Sequence, residues 1–246
     1  MPNQLFVYLI AGFVAEMICG TLGMGYGVTA TTVLLATGMA PAFASATVHA
    51  SEIVTMGMSA LSHWKVGNVD WRVVKRLIVP GILGAVAGVF VVTSLPAETM
   101  RICVAIYLFV MGVLIAARAL GRGRPATKLH PAPVGVAGGF FDSIGGGGFG
   151  TIVTGTLIAH GYEPRTTIGS VNFSRFFVSL AATIAFLVTL KIASWTPIIG
   201  LSIGGGIAAP IAAVFTKRVP ARPLTIAVGA LVVALSLRTI YVGAVK

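Results

Sequence analysis

Charged side chains are scarce in this sequence, and acidic ones are the scarcest. Only 9% of the 246 residues are charged, and only six are Asp or Glu. A soluble domain usually carries about a quarter charged residues, so this chain could not cover a surface that faces water. Hydrophobic residues make up 57% of it, and several apolar runs reach the roughly 20 residues that span a bilayer core. These properties predict an all-α integral membrane protein.

Cysteine is also nearly absent, and the few charges are unbalanced. Cys19 and Cys103 stand alone in apolar segments, so we expect no disulfide, no metal site and no other cofactor. The basic excess gives a formal net charge of +11. In a soluble protein this charge would suggest nucleic acid, but beside a membrane basic loops mark the cytoplasmic side. The expected partner is therefore the lipid bilayer, not nucleic acid.

The second half of the chain repeats the first at an offset of 123 residues. Ten identities occur between positions 23–52 and their counterparts, without a gap. Three of the ten identities are alternating glycines, namely Gly23, Gly25 and Gly27 against Gly146, Gly148 and Gly150. The duplication predicts two repeats, 1–120 and 133–246, joined by a basic cytoplasmic linker at 121–132.

Each predicted repeat begins with a pair of apolar segments that is broken by glycines. The second segment of each pair has about 13 residues, or about 20 Å of helix, which is too short for a ~30 Å bilayer core. Each pair therefore forms either a re-entrant hairpin or one discontinuous crossing. The pairs are 5–21 with 27–39, and 133–144 with 149–161. The longer segments that follow are 42–62, 77–95 and 100–118, then 165–190, 197–216 and 222–242.

The distribution of basic residues favours two re-entrant hairpins plus about six full crossings. This topology inverts the two repeats relative to each other. With both termini outside, twelve Lys and Arg residues lie in cytoplasmic loops and four lie outside, as the positive-inside rule requires. Inverted repeats with an odd number of crossings are typical of secondary transporters.

The two glycine breaks predict an anion site at the middle of the membrane. Glycine lets backbone N–H groups approach a ligand, and helix N-termini favour anions. Two such N-termini from inverted repeats would face one site. The alternative is that the glycines only permit close helix packing. The candidate substrate-binding residues at the breaks are Gly23, Met24, Gly25, Tyr26 and Gly27, with Gly146, Gly147, Gly148 and Phe149.

The matched stretches "HASE" and "NFSR" place polar residues near mid-membrane in equivalent helices. The first and last residues of each stretch lie three apart and share a helix face, where a charge is costly unless paired or hydrated. Two interpretations stay open. Glu52 and Arg175 form an ion pair that joins the two halves, or Arg175 binds an anion with Asn172 and Ser174 while His49 and Glu52 take up protons. The planar Arg fork suits a tetrahedral or pyramidal oxyanion.

Four further residues have weaker predictions. Glu16 and Asp142 each precede a break but do not align in the repeat, and either could carry a proton or cap the break, with capping favoured for Asp142. His63 lies near a segment end and is expected to be solvated. Ser51 and His49 lie two apart and face different sides of a helix, so we expect no nucleophile–base pair and no enzyme.

The order of these motifs resembles the TauE/SafE family of membrane proteins. The resemblance covers nearly the whole chain and is carried by "GMGYG" before Pro41, "GGGGFG" before Pro164, "VGNVDWR" and "VPGILGAVAG". Met24 and Tyr26 are bulkier than the glycines common in the first break of that family. Membership implies export or uptake of sulfite, sulfoacetate and other organosulfonates across the bacterial inner membrane.

The function expected from these observations is secondary transport by alternating access. The expected substrate is a small sulfur oxyanion or organosulfonate, and transport is coupled to protons. An anion channel or a structural membrane subunit is the alternative, and an intramembrane enzyme is less favoured. A homo-oligomer is left open.

Overall fold

The computed structural model describes residues 2–120, 129–190 and 194–215, together with nine positions between 226 and 241. Within these residues the regular structure is helical, which confirms the all-α membrane class. The helices are α1 (Pro2–Leu22), α2 (Tyr26–Ala36), α3 (Pro41–Lys65), α4 (Trp71–Ser94), α5 (Ala97–Leu120), α6 (Pro131–Gly145), α7 (a π-helical turn at Phe149–Thr154 continuing as Gly155–Ala159), α8 (Pro164–Thr189) and α9 (Trp195–Phe215). Most of the predicted linker and the last predicted segment lie outside the described residues.

Five of the described helices are long and apolar enough to cross a bilayer, namely α1, α4, α5, α8 and α9. α2 has 11 residues, or about 16 Å, and is too short to cross. α1 has 21 residues, or about 31 Å, so the first arm of the broken pair is itself of spanning length. The number of crossings, the re-entrant hairpins and the inverted orientation stay predictions.

The helices pack in a reciprocal pattern across the two predicted repeats. α1 packs along α9, and α4 packs along α6. Glycines allow the backbones of each pair to approach closely. Between α1 and α9, a Cβ on Gly204 would lie 1.9 Å from the Leu9 carbonyl oxygen. Between α4 and α6, a Cβ on Gly139 would lie 2.1 Å from the Gly81 carbonyl oxygen. Small residues commonly allow such close packing between membrane helices. α3 and α8 pack against each other and against these pairs, so the helices that carry "HASE" and "NFSR" meet in the interior.

The N-terminus of α8 is capped by Glu163. Its side chain accepts hydrogen bonds from the backbone N–H groups of Arg165 (3.0 Å) and Thr166 (2.6 Å). Partial burial raises the pKa of Glu163, but the hydrogen bonds outweigh it and hold this pKa below its usual value. The resulting stabilisation is present above the unfolded pKa and is lost as the pH falls through the lower folded pKa.

We expect Glu163→Ala to lower the free energy of unfolding by about 1 kcal/mol at neutral pH, as loss of a helix cap does. The difference in unfolding free energy between the variant and the unaltered protein should become smaller as the pH falls, because the Glu163 carboxyl of the unaltered protein then becomes protonated. Thermal unfolding in detergent across acidic and neutral pH measures both quantities. A difference that stays constant with pH would contradict the capping role.

Candidate anion-binding site

The two helix breaks lie against each other in the interior. Gly25 has φ +101° and Gly146 has φ +67°, a backbone conformation that L side chains rarely adopt. A Cβ on Gly27 would lie 1.4 Å from the Gly146 carbonyl oxygen, so only glycine permits this approach. Thr154 Oγ1 donates a hydrogen bond to the Gly23 carbonyl oxygen (2.8 Å). The second break therefore helps satisfy the backbone of the first, as irregular backbone at membrane depth requires.

The second break differs from the first in its helix geometry. α7 starts with a π-helical turn, whereas α2 is α-helical from Tyr26. π-helical turns are rare and frequently occur at functional sites. The local sequence does not explain why the helix is π-helical here and does not predict this geometry.

Arg175 of α8 lies between the two breaks and is fully buried. A Cβ on Gly27 would lie 2.7 Å from Arg175 Nη2, and a Cβ on Gly150 would lie 3.2 Å from Nη1. The guanidinium group thus occupies space that a side chain at position 27 or 150 would fill. The glycines serve two purposes here, since they allow the breaks to meet and they admit the arginine.

Two buried carboxylates pair with Arg175. Its Nη2 atom lies 2.7 Å from Glu52 Oε1 and 3.0 Å from Asp142 Oδ1. Ser179 donates a hydrogen bond of 2.5 Å to Glu52 Oε2. The side chains of Arg175, Glu52 and Asp142 are fully buried, and buried charges need such partners. The structure therefore contains a Glu52–Arg175 ion pair, while an anion-binding or coupling role for either residue stays a prediction.

His49 extends this group of charges. Its Nδ1 atom lies 2.9 Å from the Ser45 carbonyl oxygen, and a carbonyl can only accept, so Nδ1 carries a hydrogen. Nε2 then faces Asp142 Oδ2 at 3.5 Å. Neither atom has a hydrogen-bond partner among the described residues, and a proton bound to either one would turn this contact of two lone pairs into an attractive one. His49, Glu52, Asp142 and Arg175 form the central cluster.

Asp142 also caps the second break. The backbone N–H of Phe149 donates to Asp142 Oδ1 at 3.0 Å, and the same oxygen accepts from Arg175. A carboxylate thus already lies at the N-terminus of α7, where the glycine pattern predicts a bound anion. The sequence pattern favoured a capping role for Asp142 and left it out of the candidate substrate-binding residues.

Tyr26 and Phe149, the matched aromatic residues of the breaks, are buried against other helices. A Cβ on Gly205 of α9 would lie 3.4 Å from the Tyr26 ring, and a Cβ on Gly81 of α4 would lie 2.7 Å from the Phe149 ring. Met24 is partly buried and packs against the same core. These side chains join the breaks to α9 and α4. Their contact with a substrate stays a prediction.

Asn172 and Ser174 hydrogen-bond away from the central cluster. Ser174 Oγ donates to the Ser170 carbonyl oxygen of its own helix (2.8 Å). Asn172 Nδ2 donates to Ser59 Oγ (3.4 Å). Of the "NFSR" residues, Arg175 alone pairs with the cluster carboxylates, and a substrate contact of the other two stays a prediction.

The expectation that His63 is solvated is wrong. The side chain is fully buried, because α3 continues to Lys65 and the following loop folds back over it. His63 Nε2 donates to the Gly20 carbonyl oxygen (3.1 Å), and Nδ1 accepts from Asn68 Nδ2 (3.2 Å). Position near the end of an apolar run could not reveal this burial.

A metal ion is a poor occupant of the central cluster. His49, Glu52 and Asp142 bring ligand atoms within 4.8 Å of one another, a composition that metals accept. Both carboxylates, however, are already paired with the Arg175 guanidinium. A second cation would have to displace that positive charge or lie beside it, so the chemistry favours protons and anions.

Comparison with known proteins agrees with the motif resemblance. The family model for the sulfite exporter TauE/SafE matches residues 8–239. A "Probable membrane transporter protein YtnM" of Bacillus subtilis (strain 168) is 36% identical over 97% of this chain and 83% of its own length. A "Probable membrane transporter protein" of Haemophilus influenzae is 25% identical over 77% of this chain and 76% of its own length. No solved structure matches the chain significantly.

Proposed function

Because this chain belongs to the sulfite exporter TauE/SafE family and is a multi-pass membrane transporter, we propose that it carries a small sulfur oxyanion or organosulfonate by proton-coupled alternating access. The observation that carries the proposal is Arg175, which lies between the two helix breaks and pairs with two carboxylates. We place the protein in the bacterial inner membrane with both termini outside.

The donors around Asp142 support an anionic substrate. Its carboxylate accepts from the Phe149 backbone N–H and from Arg175, and it faces His49. A sulfite or sulfonate group presents oxygens of the same charge, and arginine binds such groups through its planar fork. In the proposal Asp142 acts as an internal anion that the substrate displaces from these donors.

Charge in the central cluster explains why protons would be required. Arg175 contributes +1, and Glu52 and Asp142 contribute −1 each, so the sum is −1 while His49 is neutral. A proton on His49 brings the sum to 0, and a further proton on Glu52 brings it to +1. An anion meets a favourable charge only after these protons have bound, which couples substrate binding to proton uptake.

The burial of the cluster supports alternating access. All four side chains are fully buried, so a substrate reaches Arg175 only after helices move apart. The contact between Gly27 and Gly146 joins the two predicted repeats at that point. In the proposal this contact opens toward one side of the membrane at a time.

Uptake into proteoliposomes tests the proposed function. We expect saturable uptake of sulfite, thiosulfate, sulfoacetate or taurine that accelerates when the pH is lower on the side of the substrate. Simple carboxylates should compete weakly, and protein-free liposomes are the control. Flux that does not saturate would indicate a channel, and a preference for carboxylates would exclude the sulfur substrates.

Glu52→Gln tests the proton step. In the unaltered protein, sulfoacetate binding should strengthen as the pH falls, because protonation of Glu52 frees Arg175. Glutamine imitates the protonated carboxyl, so the variant should bind with less dependence on pH and, at neutral pH, more tightly than the unaltered protein. Glu98→Gln, on the exposed first turn of α5, is the matched control. An unaltered pH profile in Glu52→Gln would remove Glu52 from the coupling mechanism.

A further inference from the structure

Glu16 is a fully buried carboxyl group that the central cluster does not include. Neither of its oxygens has a hydrogen-bond partner among the described residues. A Cβ on Gly20 would lie 3.2 Å from Glu16 Oε1 and 2.5 Å from the Ala212 Cβ, so the carboxyl is enclosed between α1 and α9. An unpaired carboxylate is strongly unfavourable in such surroundings, and Glu16 is therefore neutral and protonated in this state.

Among the described residues, the groups that interact electrostatically with Glu16 do not supply a free positive charge. They are Cys19 on its own helix, Tyr26 on α2, Glu52 and Ser59 on α3, and Arg175 on α8. Arg175 already pairs with Glu52 and Asp142, and α9 contributes no titratable residue. The carboxyl can thus lose its proton only when water or a changed conformation reaches it.

A line of polar side chains leads from Glu16 toward the loop between α3 and α4. Ser59 faces Glu16 and accepts from Asn172 Nδ2 at 3.4 Å. The same nitrogen lies 3.5 Å from His63 Nε2, but both atoms are donors, so this contact is not a hydrogen bond. His63 Nε2 donates instead to the Gly20 carbonyl oxygen, one turn from Glu16 on α1. His63 Nδ1 accepts from Asn68, and Asn68 accepts from Arg165 Nε, whose side chain is partly exposed at the start of α8.

We propose that Glu16 is a second proton-binding site of the transporter, reached from the loop between α3 and α4 along this polar line. His63 is the relay, because imidazole takes up a proton at one ring nitrogen and releases one from the other, whereas the Asn68 and Asn172 amides only orient their neighbours and carry no proton. The proposal deepens the proposed function, since a second proton site adds to the protons that accompany each anion. The ligand is a proton rather than a metal ion, since no charged ligand in the described part of the chain other than Glu16 is free to hold a metal there.

Infrared difference spectroscopy tests the site without any substrate. In a Glu52→Gln background, alkaline titration should remove the carbonyl stretch of a protonated buried carboxylic acid. Glu16→Gln should lack that band, and Glu98→Gln should retain it. A band that persists unchanged in Glu16→Gln would overturn the site, and a band that responds to sodium instead of pH would overturn the choice of ligand.

The kinetics of deuterium exchange test the route. Transfer into heavy water shifts the carbonyl band, and His63→Leu should slow this shift while leaving the band itself in place. A shift as fast as in the unaltered protein would overturn the polar line as the route of protons to Glu16.

Proton counting in proteoliposomes tests the coupling role. The ratio of protons to anions taken up should fall in Glu16→Gln relative to Glu98→Gln. An unchanged ratio would overturn the coupling role of Glu16. Absence of any anion uptake by the unaltered protein would overturn the proposed function instead, and the infrared result would stand independently of it.

Discussion

Replacement of Arg175 by alanine is expected to abolish anion binding and to destabilise the protein. The variant would leave Glu52 and Asp142 as two buried carboxylates without their common cation. Removing one partner of a buried ion pair typically costs about 3–5 kcal/mol. Binding of sulfoacetate and sulfite by calorimetry, and thermal unfolding in detergent, measure the two effects.

Arg175→Lys separates the loss of binding from the loss of folding. Lysine keeps the positive charge for both carboxylates but lacks the planar fork. We expect a folded protein whose affinity falls about tenfold or more, which corresponds to about 1.4 kcal/mol. Arg72→Ala, at an exposed position of α4, controls for general charge effects. Unchanged anion affinity in both Arg175 variants would exclude Arg175 from the site.

Gly27→Ala is expected to have the second large effect. The added Cβ would lie 1.4 Å from the Gly146 carbonyl oxygen and 2.7 Å from Arg175 Nη2. Both neighbours are held in place, the first by backbone and the second by two ion pairs. We expect destabilisation of about 3 kcal/mol, at the upper end of the cost of overpacking, and loss of transport.

Gly206→Ala is the matched control for this substitution. Among the described residues its Cβ would meet only Val54, at 3.6 Å, which is ordinary contact, and alanine favours helix more than glycine does. The control should therefore keep or raise the unfolding temperature and retain transport. If Gly27→Ala behaved like Gly206→Ala in both assays, the contact between the breaks would have no functional importance.

The helices were predictable because their signals are local. Apolar runs define most of them, and proline marks the start of several, since Pro41, Pro131 and Pro164 occupy first-turn positions that proline favours. The glycine breaks also fall at the predicted positions. Orientation in a membrane depends on lipid and on loops outside the described residues, so the predicted topology rests on charge distribution alone.

The candidate site was only partly predictable. Repeat matching singled out Glu52 and Arg175, because intramembrane charges are rare enough to stand out in a sequence. The place of Asp142 depends on a contact 33 residues away in the chain and that of Ser179 on one 127 residues away. The matched repeat positions hold Cys19 and Met56 instead, and local periodicity does not show which distant groups come into contact.

The most direct test of the central claim is the proton uptake that accompanies sulfonate binding to purified protein. Both acidic groups of sulfoacetate are ionised in neutral solution, so proton uptake on binding is a property of the complex, and its decrease in Glu52→Gln assigns it to the protein. Calorimetry of sulfoacetate binding, repeated in buffers of different ionisation enthalpy, gives this quantity. The account predicts net proton uptake near neutral pH in the unaltered protein and less in Glu52→Gln. Tight binding with no proton uptake in either protein would contradict it.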